Sequence, residues 1–125
     1  MSTRPPPWWP TGGDEPDPRW TLANERTLLA YERTALGLVV AGLAVGGSRA
    51  VADAPLWFSA IGLPMILLGA AVALEGRRRF IRAQGAMRAG EPLPAPLVVS
   101  FLPWGIVALA SLGLLAVLLE LASPG

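Results

Sequence analysis

The residues of this chain that could do ionic chemistry are ten arginines and nine acids, and it contains no cysteine, histidine or lysine. The lack of cysteine and histidine excludes thiolate catalysis and Cys-ligated metal sites, and it removes the commonest general base. Arginine stays charged and binds phosphate groups through a planar fork of N–H donors. Arginine is therefore suited to an anion-binding role, and we expect neither enzymatic activity nor a cofactor.

Arg26 and Arg33 are seven residues apart, so they share one face of a helix. Small residues continue this face, and at 100° per residue the whole stripe spans about 80° of arc. Small side chains let a second backbone approach closely. One interpretation is ordinary helix packing, with the arginines at the membrane boundary. The other is a stripe that faces the axis of a homo-oligomer, where the arginines form a positive ring. The small residues are Ala30, Gly37, Ala41, Ala44 and Ser48, with a nearby GxxxG pair at Gly42 and Gly46.

Glu25 and Glu32 are also seven residues apart and lie on a second face, roughly 130° from the centre of that stripe. Acids beside bases on a boundary helix can form ion pairs between subunits. Acid–base catalysis would also use paired carboxylates. These acids alternate with arginines, and no nucleophile or metal cluster accompanies them, so we interpret both acids as ion-pairing residues.

A second basic cluster follows Glu75, with Arg77, Arg78 and Arg79 in sequence and Arg82 three residues later. Such a run is typical of a topological anchor that contacts anionic lipid. Anion handling is the alternative. Under that alternative, Arg78 and Arg82 join Arg26 and Arg33 as candidate polyanion-binding residues.

Hydrophobic residues make up 53% of the 125-residue chain and charged residues only 15%, which is outside the usual range for soluble proteins. Three apolar segments, near 35–52, 55–75 and 97–121, are long enough to cross a bilayer. An amphipathic helix should begin at Asp17-Pro18 and continue into the first span without a break. The predicted fold class is an all-α membrane protein with three transmembrane helices. Residues 1–16, rich in proline, are predicted to be a disordered cytoplasmic tail.

Nine of the ten arginines fall on one side of the predicted spans, and only Arg49, beside Asp53, falls on the other. We expect the protein to lie in the plasma (inner) membrane, with a long loop at 76–96 between the second and third spans. The positive-inside rule then places the N-terminus and this loop in the cytoplasm. The membrane domain covers residues 17–121. Residues 122–125 form a short C-terminal tail outside the cell.

The segment from Asp17 to Leu36 reads DPRWTLANERTLLAYERTAL. It resembles the signature of the YidH-like family, domain of unknown function 202, which typically reads LANERTFLAWxRT. Leu28 and Tyr31 replace the usual Phe and Trp, and Glu32 stands where a neutral or apolar residue is common. The resemblance covers roughly residues 17–121, including the three spans and the basic second loop.

The same domain resembles the membrane module of the eukaryotic vacuolar transporter chaperone complex, in which three-helix subunits surround a pore for polyphosphate. The resemblance implies that Arg26 and Arg33 are matching basic positions, with Glu25 as their acidic neighbour. The catalytic domain of that complex has no counterpart in this chain, so we do not expect it to make polyphosphate alone.

Two functions from different classes follow. The first is an oligomeric module that binds or conducts polyphosphate or another polyanion. The second is a structural or assembly subunit whose arginines set topology and pair with acids. A small-molecule exporter ranks below both, because no charged residue lies in the middle of a predicted span. We expect the bilayer and further copies of the chain as partners, and no nucleic acid.

Overall fold

The computed structural model describes residues 4–123, without the side chains of residues 49–51, and consists of three α-helices. They are α1 (Pro18–Ala52), α2 (Leu56–Ala89) and α3 (Val98–Ala122). All three are long and apolar enough to cross a membrane. The predicted all-α fold with three membrane-spanning helices is therefore confirmed. The Arg49 side chain, the first three residues of the predicted N-terminal tail and the last two of the predicted C-terminal tail lie outside the described part.

Helix α1 begins where the sequence predicts. The Asp17 carboxylate accepts a hydrogen bond from the Arg19 backbone N–H at 2.9 Å, and Pro18 occupies the first helical position. The Arg19 side chain, and then its backbone N–H, hold the pKa of the Asp17 carboxyl below its usual value. The helix continues for 35 residues without a break, which is about 50 Å and exceeds a hydrocarbon core of about 30 Å. The predicted continuity between the amphipathic helix and the first span is confirmed.

Helices α1 and α2 form an antiparallel hairpin and pack against each other along their length. Only residues 53–55 connect them, and Asp53 takes the left-handed conformation (φ 55°) that ends α1. Small residues make the packing close. A Cβ atom placed on Gly69 would lie 2.8 Å from the Ala35 carbonyl oxygen, and Val72 beside it is fully buried.

The prediction of a long loop at 76–96 is wrong, because α2 continues to Ala89 and the connection to α3 is only residues 90–97. The arginines of residues 76–89 indicate that this segment lies outside the membrane, but they do not exclude a helix. Phe80, Ala83 and Gln84 recur at helical spacing and are buried in the hairpin. Gly90 ends the helix with φ 67°, and its backbone N–H donates to the Ala86 carbonyl.

The hairpin thus extends beyond the apolar spans at one end. We name this part the basic end; it comprises residues 18–34 of α1 and 76–89 of α2. Helix α3 packs against α2 more loosely, for example where Gly105 meets Leu68. All of α3 lies within the described range, and none of its residues is buried. A helix that is apolar on every side and unburied is suited to contact lipid.

Candidate functional site

A buried polar cluster fixes the two helices of the basic end against each other. The Asn24 side-chain amide donates to the Phe80 carbonyl and to Oε1 of Gln84, both at 3.0 Å. Gln84 in turn donates to the Thr21 hydroxyl at 3.3 Å. Asn24 is 6% exposed and Gln84 only 1%, so losing one partner would cost about 1–3 kcal/mol. The cluster therefore sets the rotation of α1 and α2, and with it the direction of every charged residue on them.

Arg26 and Arg33 lie on the face of α1 that points away from α2. Asn24 and Tyr31 contact α2, and each arginine follows one of them by two residues, roughly 200° around the helix. Both arginines are exposed. We name the surface formed by Arg26, Ala30, Arg33, Gly37, Ala41 and Ala44 the outer stripe of α1; Ala41 is half-buried and the others are exposed.

Arg78 and Arg82 lie on the opposite side of the hairpin. Each is two residues from Phe80, whose carbonyl faces α1, so both leave α2 on the side away from α1. The Arg78 side chain then folds back toward Glu75 and comes within electrostatic reach of Tyr31. Arg78 makes a two-pronged ion pair with Glu75 at 2.7 and 2.8 Å, while Arg82 is exposed. The four predicted polyanion-binding arginines therefore do not converge in one chain. The structure brings Arg26 together with Arg33, and separates both from Arg78 and Arg82.

Glu25 and Glu32 are exposed, and Glu32 lies beside Gly76 of α2. Among residues 4–123 the ion pairs are Arg19–Asp17 and Arg78–Glu75, so neither glutamate is paired within the described chain. Their predicted pairing between subunits stays a prediction.

The predicted packing residues divide into two groups. Gly42 and Gly46 pack against Gly62 of α2, where a Cβ on Gly62 would lie 2.6 Å from the Gly42 carbonyl oxygen and from the Gly46 nitrogen. This GxxxG pair therefore serves the hairpin itself. A Cβ on Gly37 would meet no atom within 4 Å, and it shares the outer stripe with Ala41 and Ala44.

Residues 4–16, for which the sequence predicts disorder, have no helix or strand and contact the end of α2. The Trp9 ring lies 5.8 Å from the Phe80 ring, centre to centre, and the Asp14 backbone N–H donates to the Arg88 carbonyl at 3.1 Å. The Arg88 guanidinium donates weakly to the Gly12 carbonyl at 3.5 Å.

Sequence reasoning missed two polar contacts: the buried cluster that fixes the basic end, and the half-buried Glu75–Arg78 ion pair at its boundary. Asn24 stands inside the quoted signature, but its partner Gln84 is 60 residues away and had no visible motif. Glu75 and Arg78 carry a signal that could have been used, since a three-residue spacing brings opposite charges together on a helix.

The arrangement is suited to electrostatic binding. Within the described residues no group of three metal-ligating side chains comes together. The guanidinium groups of Arg26 and Arg33 are exposed and unpaired there, and they point away from the rest of the molecule. Each chain therefore presents two charges to whatever covers the outer stripe of α1.

Three apolar helices that form a hairpin and a loosely packed third span define a multi-pass membrane protein. Residues 19–86 match the family described as Domain of unknown function (DUF202). The match covers more than half of the chain, and the protein belongs to this family.

Curated relatives agree with that assignment. The inner membrane protein YidH of Escherichia coli (strain K12) is 36% identical over 105 residues, which cover 82% of this chain and 90% of YidH. An uncharacterized protein of Mycobacterium tuberculosis (strain H37Rv) is 40% identical over 101 residues, 77% of this chain and 83% of the relative. No solved structure matches the chain. The protein is thus a multi-pass protein of the inner membrane.

Proposed function

We propose that this protein is a homo-oligomeric membrane module that binds or conducts polyphosphate or a similar polyanion. In this proposal the outer stripes of α1 surround a common axis, and Arg26 and Arg33 of each subunit form a positive ring at its cytoplasmic end. The observation that carries the proposal is the exposed outer stripe, which combines two unpaired arginines with a row of small residues. Small side chains bring no advantage to a surface that faces lipid, whereas at a helix interface they let the two backbones approach closely.

A ring of arginines would attract an anionic polymer for a simple electrostatic reason. Two like charges about 10 Å apart repel by roughly 2 kcal/mol at an effective dielectric constant of about 20. A polyanion that contacts several arginines at once relieves this repulsion and releases counterions. Arg78 is neutralised by Glu75 and Arg82 lies across the hairpin, so we leave both out of the proposed ring. The resemblance to the membrane module of the vacuolar transporter chaperone complex supports a phosphate polymer as the anion.

The orientation that this function needs has the N-terminus in the cytoplasm. Nine of the ten arginines belong to the N-terminal tail and the basic end, which supports it through the positive-inside rule. We expect reporter fusions after Gly90 and after Ser123 to report the cytoplasm and the outside, respectively. Both fusions on the same side, or the reverse assignment, would contradict this topology.

The functional test is polyphosphate binding to purified protein at two salt concentrations. The unmodified protein should bind at low salt and lose affinity steeply as salt rises, because each neutralised phosphate releases a counterion. The double variant Arg26→Gln/Arg33→Gln should lower the low-salt affinity at least tenfold and flatten the salt dependence.

The matched control is Arg77→Gln/Arg82→Gln, which removes the same charge from exposed positions on α2. The control should bind like the unmodified protein. An equal loss in both variants would indicate diffuse attraction to the whole basic end. Absence of binding by the unmodified protein at low salt would remove the polyanion function.

A structural or assembly subunit is the second candidate. The observation that favours it is that Glu25 and Glu32 are exposed and unpaired within residues 4–123, which leaves them free to meet arginines of a neighbouring subunit. Under this function, Arg26→Gln/Arg33→Gln should reduce the mass of the complex in detergent. The polyanion function instead expects the mass to stay constant while binding is lost.

A further inference from the structure

The three consecutive arginines of α2 have three different surroundings. Arg77 is exposed and lies over the Trp8 ring at 5.9 Å from its centre. Arg78 is paired with Glu75. Arg79 is half-buried and lines a notch between α1, α2 and the 90–97 connection. In the sequence the three arginines form one basic run, but in the structure only Arg79 of the three lines this notch.

This notch has a volume of about 190 Å³, and its lining is mostly apolar apart from Asn24, Thr27 and Arg79. Trp20, Asn24 and Thr27 line it from α1, and Leu93 lines it from the connection. The Asn24 amide and the Thr27 hydroxyl already donate hydrogen bonds within the chain, which leaves Arg79 as the donor for a ligand. Within the described residues, no carboxylate forms an ion pair with Arg79. The notch therefore holds one positive charge without a counter-charge, which suits an anionic group.

The notch lies at the depth of lipid headgroups. Because Asn24 bonds to Phe80 and Tyr31 lies against Gly76, Thr27 comes level with Arg79 in the antiparallel hairpin. Arg79 is four residues beyond the predicted end of the second span, or about 6 Å along the helix. The headgroup layer extends about 6 Å beyond each side of the hydrocarbon core. A phosphate in that layer would be at the height of the guanidinium.

A separate apolar crevice lies on the membrane side of the notch. It has a volume of about 210 Å³ and lies between all three helices. The residues that line it are uncharged and mostly apolar, which is the environment that an acyl chain requires. They consist of Ala30, Tyr31, Thr34, Val72, Val98 and Leu102.

We propose that this notch and crevice bind one anionic phospholipid, with its phosphate on Arg79 and an acyl chain between the helices. Arginine can donate two parallel hydrogen bonds to a phosphodiester, and Arg79 is the charged residue of this notch. Asp17 and Glu91 line the adjoining outer cavity beside Trp20 and Leu93, and they disfavour an anion farther from the membrane. The notch shares no residue with the outer stripe of α1, and only Ala30 of that stripe borders the crevice. Lipid binding by Arg79 therefore does not depend on the polyanion function.

Native mass spectrometry of the purified protein with added phosphatidylglycerol tests this site. The unmodified protein should retain one lipid more tightly than further copies, and more tightly than phosphatidylcholine. Arg79→Gln should weaken binding of that lipid about tenfold or more, since the phosphate loses its hydrogen bonds to a charged donor. Arg77→Gln, which removes the same charge one residue earlier, should leave it unchanged.

A steric variant tests the contribution of the cavity to lipid binding separately from that of the Arg79 charge. Ala23 is exposed and lines the notch, so Ala23→Leu should fill it while every arginine remains. We expect loss of the tight lipid in this variant with unchanged thermal stability. Equal effects of Arg77→Gln and Arg79→Gln, or full retention by Ala23→Leu, would overturn the proposal. Displacement of the lipid by inorganic phosphate at equal concentration would also overturn it, because the acyl crevice would then contribute nothing.

Discussion

Replacing Gly62 with alanine should force α1 and α2 apart and destabilise the hairpin by about 3 kcal/mol. The added Cβ would lie 2.6 Å from the Gly42 carbonyl oxygen and from the Gly46 nitrogen. These are backbone atoms, so they cannot move aside by changing a side-chain rotamer. The two helices would have to separate and lose van der Waals contacts along the crossing, where such contacts drive helix association in lipid.

The matched control for this change is Gly47→Ala on α1, because a Cβ at Gly47 would meet no atom within 4 Å. Both substitutions improve helix propensity by about 1 kcal/mol relative to glycine, so their difference isolates the close approach. Unfolding of each purified variant at increasing SDS concentration measures its stability. A stability of Gly62→Ala that matches that of Gly47→Ala would show that the helices do not pack through this glycine.

The overall fold follows from short-range features of the sequence. Apolar segments of bilayer length predict the three spans, and Asp17-Pro18 predicts the first residue of α1 because capping chemistry is local. The first two predicted spans are separated only by residues 53 and 54, and so short a link predicts an antiparallel hairpin. Each of these features is visible without any knowledge of what lies opposite in space.

The extension of α2 depended on a contact that is distant in the sequence. Residues 76–89 contain five arginines, and counted by charge they resemble a solvated loop. Phe80 and Gln84 become a buried stripe only once the basic end of α1 lies beside them. The Asn24–Gln84 hydrogen bond joins residues 60 positions apart, so no local pattern reveals it.

For the candidate site, too, the sequence predicts the local arrangement but not the contacts between helices. Periodicity places Arg26 and Arg33 on one face, because a seven-residue spacing returns to the same side of a helix. Periodicity does not say whether that face meets α2, and the packing of Asn24 and Tyr31 is needed to show that it points away. The pairing of Arg78 with Glu75 likewise separates it from the other candidates.

The second large effect concerns assembly, which is the central claim of the proposed function. The chain contains no cysteine, so a single introduced cysteine can report contact between subunits. Ala44→Cys places a thiol on the outer stripe of α1. If the stripes meet at a shared axis, identical positions approach within the distance that a disulfide requires, about 4–7 Å between Cα atoms.

Leu63→Cys is the control, because Leu63 is 61% exposed and lies on α2 at a similar depth, beside Gly62. The most direct measurement is disulfide formation in native membranes after mild oxidation, read as monomer and dimer bands on a non-reducing gel. The oligomer with α1 at its axis predicts that most Ala44→Cys protein becomes a cross-linked dimer while Leu63→Cys stays monomeric. Monomeric Ala44→Cys protein, or equal cross-linking of both variants, would contradict it.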